Sequence, residues 1–354
     1  MRIMKRYLFY YLCMNMVLLE GCQSKQEYKD IQHIKYADFG IPISLQGEEV
    51  FFDEPVLKPM GVLAADSILF VYSMLSDKLL CRYNLNTMKK TGEYISFGSG
   101  PEELMHISNM QILDSLLWII DSNSRRGFGY NLLNISNSDT VTMQSRIQIK
   151  DAFSRMNILR DGSSVATAYN PEHNRLTFFD MNGNYKFTNG DFPFFRKDIT
   201  AIENIEGFTA NLMYSPENER IYLFCLATDL IEVFDTEGNI LSRVHGPDFF
   251  FPEVREQHFG DGSTKVAFDF DKGRDAYLGP LVVADEIFVL YSGASSSLRN
   301  GNKKDKILVF NKDLDPLRYY QLSEPVFNMA IDVNSKTIYA ITDEPEFRII
   351  KYKY

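Results

Sequence analysis

Cysteine, tryptophan and long apolar runs are scarce in this chain, and each scarcity narrows what it can be. Of four cysteines in 354 residues, Cys13 and Cys22 lie in the N-terminal leader region, leaving Cys81 and Cys225 for the folded part. These two sit inside apolar strand patterns in repeats that are not neighbours, so a bridge between them would need unfavourable geometry and both are expected to be buried free thiols. Beyond the leader, no stretch approaches the run of about eighteen apolar residues that a membrane-spanning helix needs. His33, His106, His173, His245 and His258 are scattered without paired His or Cys spacing, which leaves a zinc site unsupported. A G-x-S-x-G element is absent and no Ser/His/Asp grouping stands out, so the chain shows no catalytic signature, and neither a cofactor nor a resident metal is expected.

Positive charge is short as well. Lys and Arg number 37 against 47 Asp and Glu, a formal charge of −10. Loss of a leader carrying Arg2, Lys5, Arg6 and Glu20 takes the charge to −12. Without a basic stripe, nucleic acid is a poor candidate partner, and the acidity reads as solubility. What is plentiful is apolar surface, 45% of residues, including 20 tyrosines and 27 phenylalanines. That content supports a sizeable core and favours sheet over helix.

The clearest unit is Arg220 to Val244, RIYLFCLATDLIEVFDTEGNILSRV, which reads strand, turn, strand, turn, strand. Similar units run through residues 58–97, 106–149, 155–188, 207–244, 267–322 and 327–352. Their second strands (SILFVY, LLWIID, EIFVLY among them) recur at intervals of roughly 47 to 66 residues, the spacing of four-stranded propeller blades. In the fifth unit, Ala267 to Phe270 and Leu281 to Val283 are taken as strands bracketing a longer loop. The sixth unit stops one strand short, while an orphan segment, Ile41-Pro42-Ile43-Ser44-Leu45, stands alone near the start. The expected fold is therefore all-β: a six-bladed β-propeller of four-stranded antiparallel blades over residues 33–354, closed by an N-terminal strand near Ile41 to Leu45 that completes the last blade. Five or seven blades are the neighbouring counts. Ring closure buries the two apolar end faces that an open stack would expose.

Ahead of the repeats, Met1 to Tyr7 is basic and Leu8 to Leu19 is uncharged and largely apolar, a signal-peptide pattern. The run ends Leu18-Leu19-Glu20-Gly21-Cys22, which resembles the lipobox of bacterial lipoproteins, with Glu20 departing from the usual small or apolar residue. Residues 1–21 are read as the signal peptide, Cys22 as the lipidated residue, and 22–32 as a short tether.

The turn after the first unit is Phe97-Gly98-Ser99-Gly100-Pro101-Glu102-Glu103-Leu104. With the lipobox and the six units, this FGSGPEEL segment resembles the TolB-like six-bladed propeller lipoproteins common in Bacteroidetes, which carry a similar G-x-G-P-x-E-F/L segment between the first two blades. The resemblance implies a fold and an envelope address, and no particular activity. Gly98, Gly100, Pro101, Glu102 and Glu103 are expected to form a tight blade-linking turn rather than a phosphate cradle, since no Lys-Ser/Thr follows.

Two connections are rich in aromatics: Phe192, Phe194, Phe195 and Arg196, and then Phe249, Phe250 and Phe251. They are candidates for a platform binding a sugar ring or an extended peptide, or for packing that plugs the gaps between blades. Asp269 to Asp275 alternates carboxylates with a glycine, but lacks a later bidentate Glu and carries Lys272 and Arg274, which oppose a cation. The sequence thus points to a lipid-anchored binding or scaffolding module of the cell envelope, at the outer membrane, with a glycan, peptide or protein ligand. The rival is a lactonase- or hydrolase-type enzyme with carboxylates at the channel mouth, and an architectural subunit is a third possibility.

Overall fold

Runs such as Ile68–Ser73 and Glu286–Tyr291 carry apolar side chains at successive positions, so both faces of each strand must be covered. The chain meets this demand by standing each sheet between two others. The computed structural model describes residues 31–167, 169–193, 196–258, 260, 264–283, 285–297 and 304–354. The leader and the proposed lipidation residue Cys22 lie outside the described residues, as do Phe194 and Phe195. Gln32–Phe192 and Asp198–Tyr354 form the propeller unit. The other described residues, Ile31, Pro193, Arg196 and Lys197, carry no helix or strand.

Six antiparallel sheets follow one another along the propeller unit. Blade one is Pro59–Ala65, Ile68–Ser73, Lys78–Asn84 and Lys89–Ser96. Blade two is Asn109–Leu113, Leu116–Asp121, Arg126–Asn131 and Met143–Gln148. Blade three is Met156–Ile158, Ser164–Thr167, Leu176–Phe179 and Tyr185–Asn189. Blade four is Ala210–Ser215, Arg220–Cys225, Leu230–Asp235 and Ile240–His245. Blade five is Tyr277–Val283, Glu286–Tyr291, Lys304–Asn311 and Pro316–Val326. Blade six is Asn328–Asp332, Thr337–Thr342 and Arg348–Lys353, and its fourth strand is Glu48–Glu49 from the N-terminal side.

Alternation along each central strand divides its side chains between two neighbouring blades. Phe70 and Tyr72 join the core shared with blade two, while Leu69 and Val71 join the core shared with blade six. Ile287, Val289 and Tyr291 pack toward blade four, and Phe288 and Leu290 toward blade six. The core is thus a set of interfaces between blades rather than one central mass.

Polar side chains on the innermost strands add a second tie. Asn109 Nδ2 donates to the Met156 carbonyl at 3.1 Å and Gln111 Nε2 to that of Ile158 at 2.9 Å, joining blade two to blade three. Asn211 Nδ2 donates to the Tyr277 carbonyl at 3.4 Å, joining four to five, and Val62 N donates to Asn328 Oδ1 at 3.0 Å, joining one to six.

Two expectations need correction. The strand that completes blade six is Glu48–Glu49, paired with Ile350 and Lys351, whereas Ile43–Leu45 adds in parallel to the outer edge of blade five alongside Tyr320–Leu322. A second short parallel addition, Gln32–His33, covers the outer edge of blade four beside Val244 and His245. Ala267 and Phe268 belong to a separate hairpin of Val254–His258 with Thr264–Phe268, inserted between blades four and five, so they are not blade strands. Among the described residues, two short α-helices lie between strands. Leu132–Asn137 is capped by Asn131, and Ala201–Gly207 by a Thr200/Glu203 capping box.

A five-residue turn recurs between the third and fourth strands. Asp180 Oδ1 accepts the amides of Asn182 and Asn184, Asp235 Oδ1 those of Glu237 and Asn239, and Asn311 Oδ1 those of Asp313 and Asp315. The fourth position is left-handed each time: Gly183 at φ 76°, Gly238 at φ 82° and Leu314 at φ 66°. Leu314 tolerates that conformation because its side chain is buried in the core between blades four and five.

Candidate functional site

The FGSGPEEL segment is a self-closed clamp. Glu103 folds back so that Oε2 accepts the Gly100 amide at 2.9 Å. Gly98 sits at φ 155°, and a Cβ there would run into the Glu103 carboxylate. Phe97 and Leu104 form a parallel bridge, with Leu104 fully buried between blades one and two. From blade two, Arg126 Nη1 donates to the Gly100 carbonyl at 2.7 Å. Glycine, proline and glutamate are therefore needed here for backbone shape, as a blade-linking turn requires.

The clamp also forms one wall of a cleft of about 690 Å³ between blades one and two, lined by Pro101, Glu102, Glu103, Tyr94, Tyr130 and Lys78 among others. Glu93 and Asp139 add to its carboxylates. Burial and the nearby Glu102 push the Tyr130 phenol up to about 12, so it remains a donor at neutral pH. Behind this wall, the buried Arg82 guanidinium holds the C-terminal end of the helix Leu132–Asn137, donating to the carbonyls of Ile135 at 2.8 Å and Ser138 at 2.9 Å.

The aromatic platform divides. Phe250 is 7% exposed and packs in the core, with the Arg274 guanidinium 4.6 Å from its ring centroid. Phe249 is half-buried against His245 at 4.5 Å, and Phe192 is half-buried beside Phe208 and Arg175. Phe251, at 40%, is the one of these described phenylalanines that is substantially exposed. Phe249 and Phe250 are held in place by Asp229, a fully buried carboxylate that accepts the amides of Asp248 at 3.0 Å, Phe249 at 2.5 Å and Phe250 at 3.3 Å, and bonds His245 Nδ1 at 3.0 Å. Asp248 in turn accepts from Tyr36 at 3.1 Å and Tyr291 at 2.7 Å and pairs with Arg274 at 3.1 Å. These side chains are mainly committed to holding the connection from blade four toward blade five.

A second cleft, of about 600 Å³, opens between blades three and four. Its aromatic wall is a cross-strand pair, Phe178 opposite Phe187, stacked with centroids 4.6 Å apart and planes 17° from parallel. Phe178 is buried, whereas Phe187 is 36% exposed. Around the rings lie Arg160, Asp161, Ser163, Lys186, Glu219 and Glu237, with Asn189 and Asn239. Asn189 Nδ2 bridges the blades by donating to the Glu237 carbonyl at 2.9 Å and to Asn239 Oδ1 at 3.2 Å. Gly190 and Gly238, each at φ 82°, abut at the back of this seam, where a Cβ on Gly238 would press on Asn189 and Phe178.

The family model described as TolB-like 6-blade propeller-like matches residues 41–348. The chain belongs to this family. Among solved structures it is similar to a member of the DUF4221 family from Bacteroides vulgatus, with TM-score 0.56 and 10% identity over 88% of this chain and 97% of that one. It is also similar to a putative exported protein from Bacteroides fragilis, with TM-score 0.54 and 14% identity over 87% of this chain and 94% of that one. At those identities the likeness is one of fold. No curated protein matches the chain.

Within this TolB-like propeller, sequence reasoning located the clamp and missed the cleft between blades three and four. The signal available was the alternating Tyr185 and Phe187 on an outer strand, beside two Asp-x-x-Gly-Asn turns. Among the described residues, no group of three or more His, Cys, Asp or Glu side chains is placed to hold a metal ion, and no helix is long and apolar enough to cross a membrane.

Proposed function

We propose that this TolB-like propeller is an exported, lipid-anchored binding module of the cell envelope that takes a glycan, peptide or protein ligand in clefts at the seams between blades. The observation that carries the reading is a contrast between committed side chains and open seams. The innermost-strand side chains of Asn109, Gln111, Asn211 and Asn328 are spent on bonds to adjacent blades, while two clefts of several hundred Å³ open at the seams between blades. The hydrolase alternative calls for carboxylates available at the channel mouth. The fully buried carboxylates Asp121 and Asp229 organise loops, Asp121 by accepting from Met105, Asn123 and Ser124. The lipobox ending at Cys22 and the exported relative of similar fold support the address.

The test is a thermal-shift screen of the full chain in detergent against oligosaccharides, peptides and lactone or ester substrates. A ligand at a hundred times its Kd stabilises by about 2.7 kcal/mol, which is readily resolved. A shift with one ligand class and no turnover supports the reading; hydrolysis of a lactone or ester transfers the chain to the enzyme class. In cells, Cys22→Ser should abolish fatty-acid labelling and release the protein from the membrane fraction. Retention of both in the variant would refute the anchor.

A further inference from the structure

Phe187 differs from the other exposed aromatics in how it is held. One face lies flat on the buried Phe178 ring, which fixes its orientation, and it lines the cleft between blades three and four. A ring already immobilised by a stack loses little freedom when a second flat surface is laid on it. The polar groups around it carry both signs. Arg160 and Lys186, the latter with Nζ 5.9 Å from the Phe187 ring centroid, line the cleft together with the carboxylates of Asp161, Glu219 and Glu237, and the carboxamides of Asn189 and Asn239 complete the set. That balance is slightly acidic, which disfavours a phosphate or other anion, and it supplies many acceptors for hydroxyl donors.

We infer that this cleft is a subsite for a neutral oligosaccharide, with one pyranose ring laid by its C–H face on Phe187 and its hydroxyls donating to Glu219 and Glu237. The assignment rests on the binding-module reading and names the ligand class for one of its clefts. A volume of about 600 Å³ is on the scale of a small-ligand site, and the open rim lets a longer chain run past. Glu237 is suited to the task because its turn is held through backbone groups: its amide is bound by Asp235 and its carbonyl by Asn189, so the carboxylate is not needed to shape the turn.

The experiment is isothermal titration of the full chain in detergent with maltohexaose, cellohexaose, xylohexaose, laminarihexaose and mannohexaose. At least one should bind, Phe187→Ala and Glu237→Ala should each weaken it at least tenfold, and Phe187→Trp should retain it within about threefold. Glu102→Gln, in the cleft between blades one and two, should leave it unchanged. The inference is overturned if no neutral hexasaccharide binds, or if Phe187→Ala and Glu237→Ala bind as the parent does. It is also overturned if Glu102→Gln removes a binding that Phe187→Ala spares. Silence toward all five sugars together with a peptide-induced thermal shift overturns the saccharide assignment alone and leaves the binding-module reading standing. Because Glu237→Ala leaves the turn's backbone bonds in place, its result remains decisive even if Phe187→Ala fails to fold.

Discussion

Removing Glu232 should unfasten blade three from blade four. The carboxylate is fully buried and sits between two guanidiniums, with Oε2 2.6 Å from Arg175 Nε and Oε1 3.0 Å from Arg243 Nε. Arg175 reaches it from the neighbouring blade with its side chain only 2% exposed, its other contacts being the Cys225 thiol at 3.5 Å and the face of Phe192 at 5.2 Å. Glu232→Ala leaves that buried cation uncompensated, a loss that costs about 3–5 kcal/mol. With a urea m-value of about 3 kcal/mol/M, the unfolding midpoint should fall by roughly 1 to 1.7 M. The triple variant Arg175→Met, Glu232→Leu and Arg243→Met removes the carboxylate along with both of its cations, and should recover most of the loss because well-packed apolar replacements of buried ion pairs are often neutral. The assay is equilibrium urea denaturation followed by far-UV circular dichroism. A Glu232→Ala midpoint within about 0.2 M of the parent, corresponding to well under 1 kcal/mol at that m-value, would refute the argument. So would a triple variant as unstable as the single one.

Other consequences follow from single residues. Burial pushes the Lys304 ammonium down to about 8, against the pull of Asp275. Below that pH both the folded and unfolded chains hold the proton, and between about pH 8 and 10 the unfolded chain holds it while the folded one releases it. Stability from this group should therefore rise by about 2 kcal/mol across that window, and Lys304→Met should abolish the rise in pH-dependent denaturation. Gly98→Ala sets a Cβ against the Glu103 carboxylate at a left-handed φ, so the clamp should lose about 1–3 kcal/mol, read as a lower Tm; an unchanged Tm would contradict the clamp. Burial raises the Cys225 thiol to about 12, so Ellman's reagent should leave it unmodified in the native protein and label it on denaturation.

The strands were legible where burial imposes a pattern. Ile68–Ser73, Arg220–Cys225 and Glu286–Tyr291 lie between two blades, so both faces read as apolar and the second strand of each unit stands out in the sequence. An outermost strand has no such obligation. Glu48–Glu49 closes the ring through backbone pairing with Ile350 and Lys351 and through ion pairs, Lys351 to Glu48 at 3.1 Å and Arg348 to Glu49 at 3.7 Å. Nothing apolar marks it, so the more hydrophobic Ile41 to Leu45 drew the assignment, although that segment forms an added edge on blade five. The hairpin containing Ala267 misled for a related reason, since a β-rich segment does not reveal which sheet it joins.

The same asymmetry governs the candidate site. FGSGPEEL was visible because backbone shape demands particular residues, namely a glycine at φ 155°, a second glycine bonded by Glu103, and a leucine driven into the core. The cleft between blades three and four demands no such local chemistry. Its residues come from positions as far apart as Leu159 and Asn239, and their meeting depends on Gly190 and Gly238 letting two blade edges touch. Each of those glycines reads in the sequence as an ordinary turn residue. Their joint effect arises only when the seam closes, which places the stacked Phe187 opposite the carboxylates of the next blade. A cleft built this way can change its rim residues without disturbing the blades, because the ring is held by side chains that bond across blade interfaces, such as Asn211, Asn328 and Glu232. Substitutions at Glu219 or Glu237 should therefore alter ligand choice at little cost in stability, whereas substitutions at Glu232, buried between the two blades, should do the reverse.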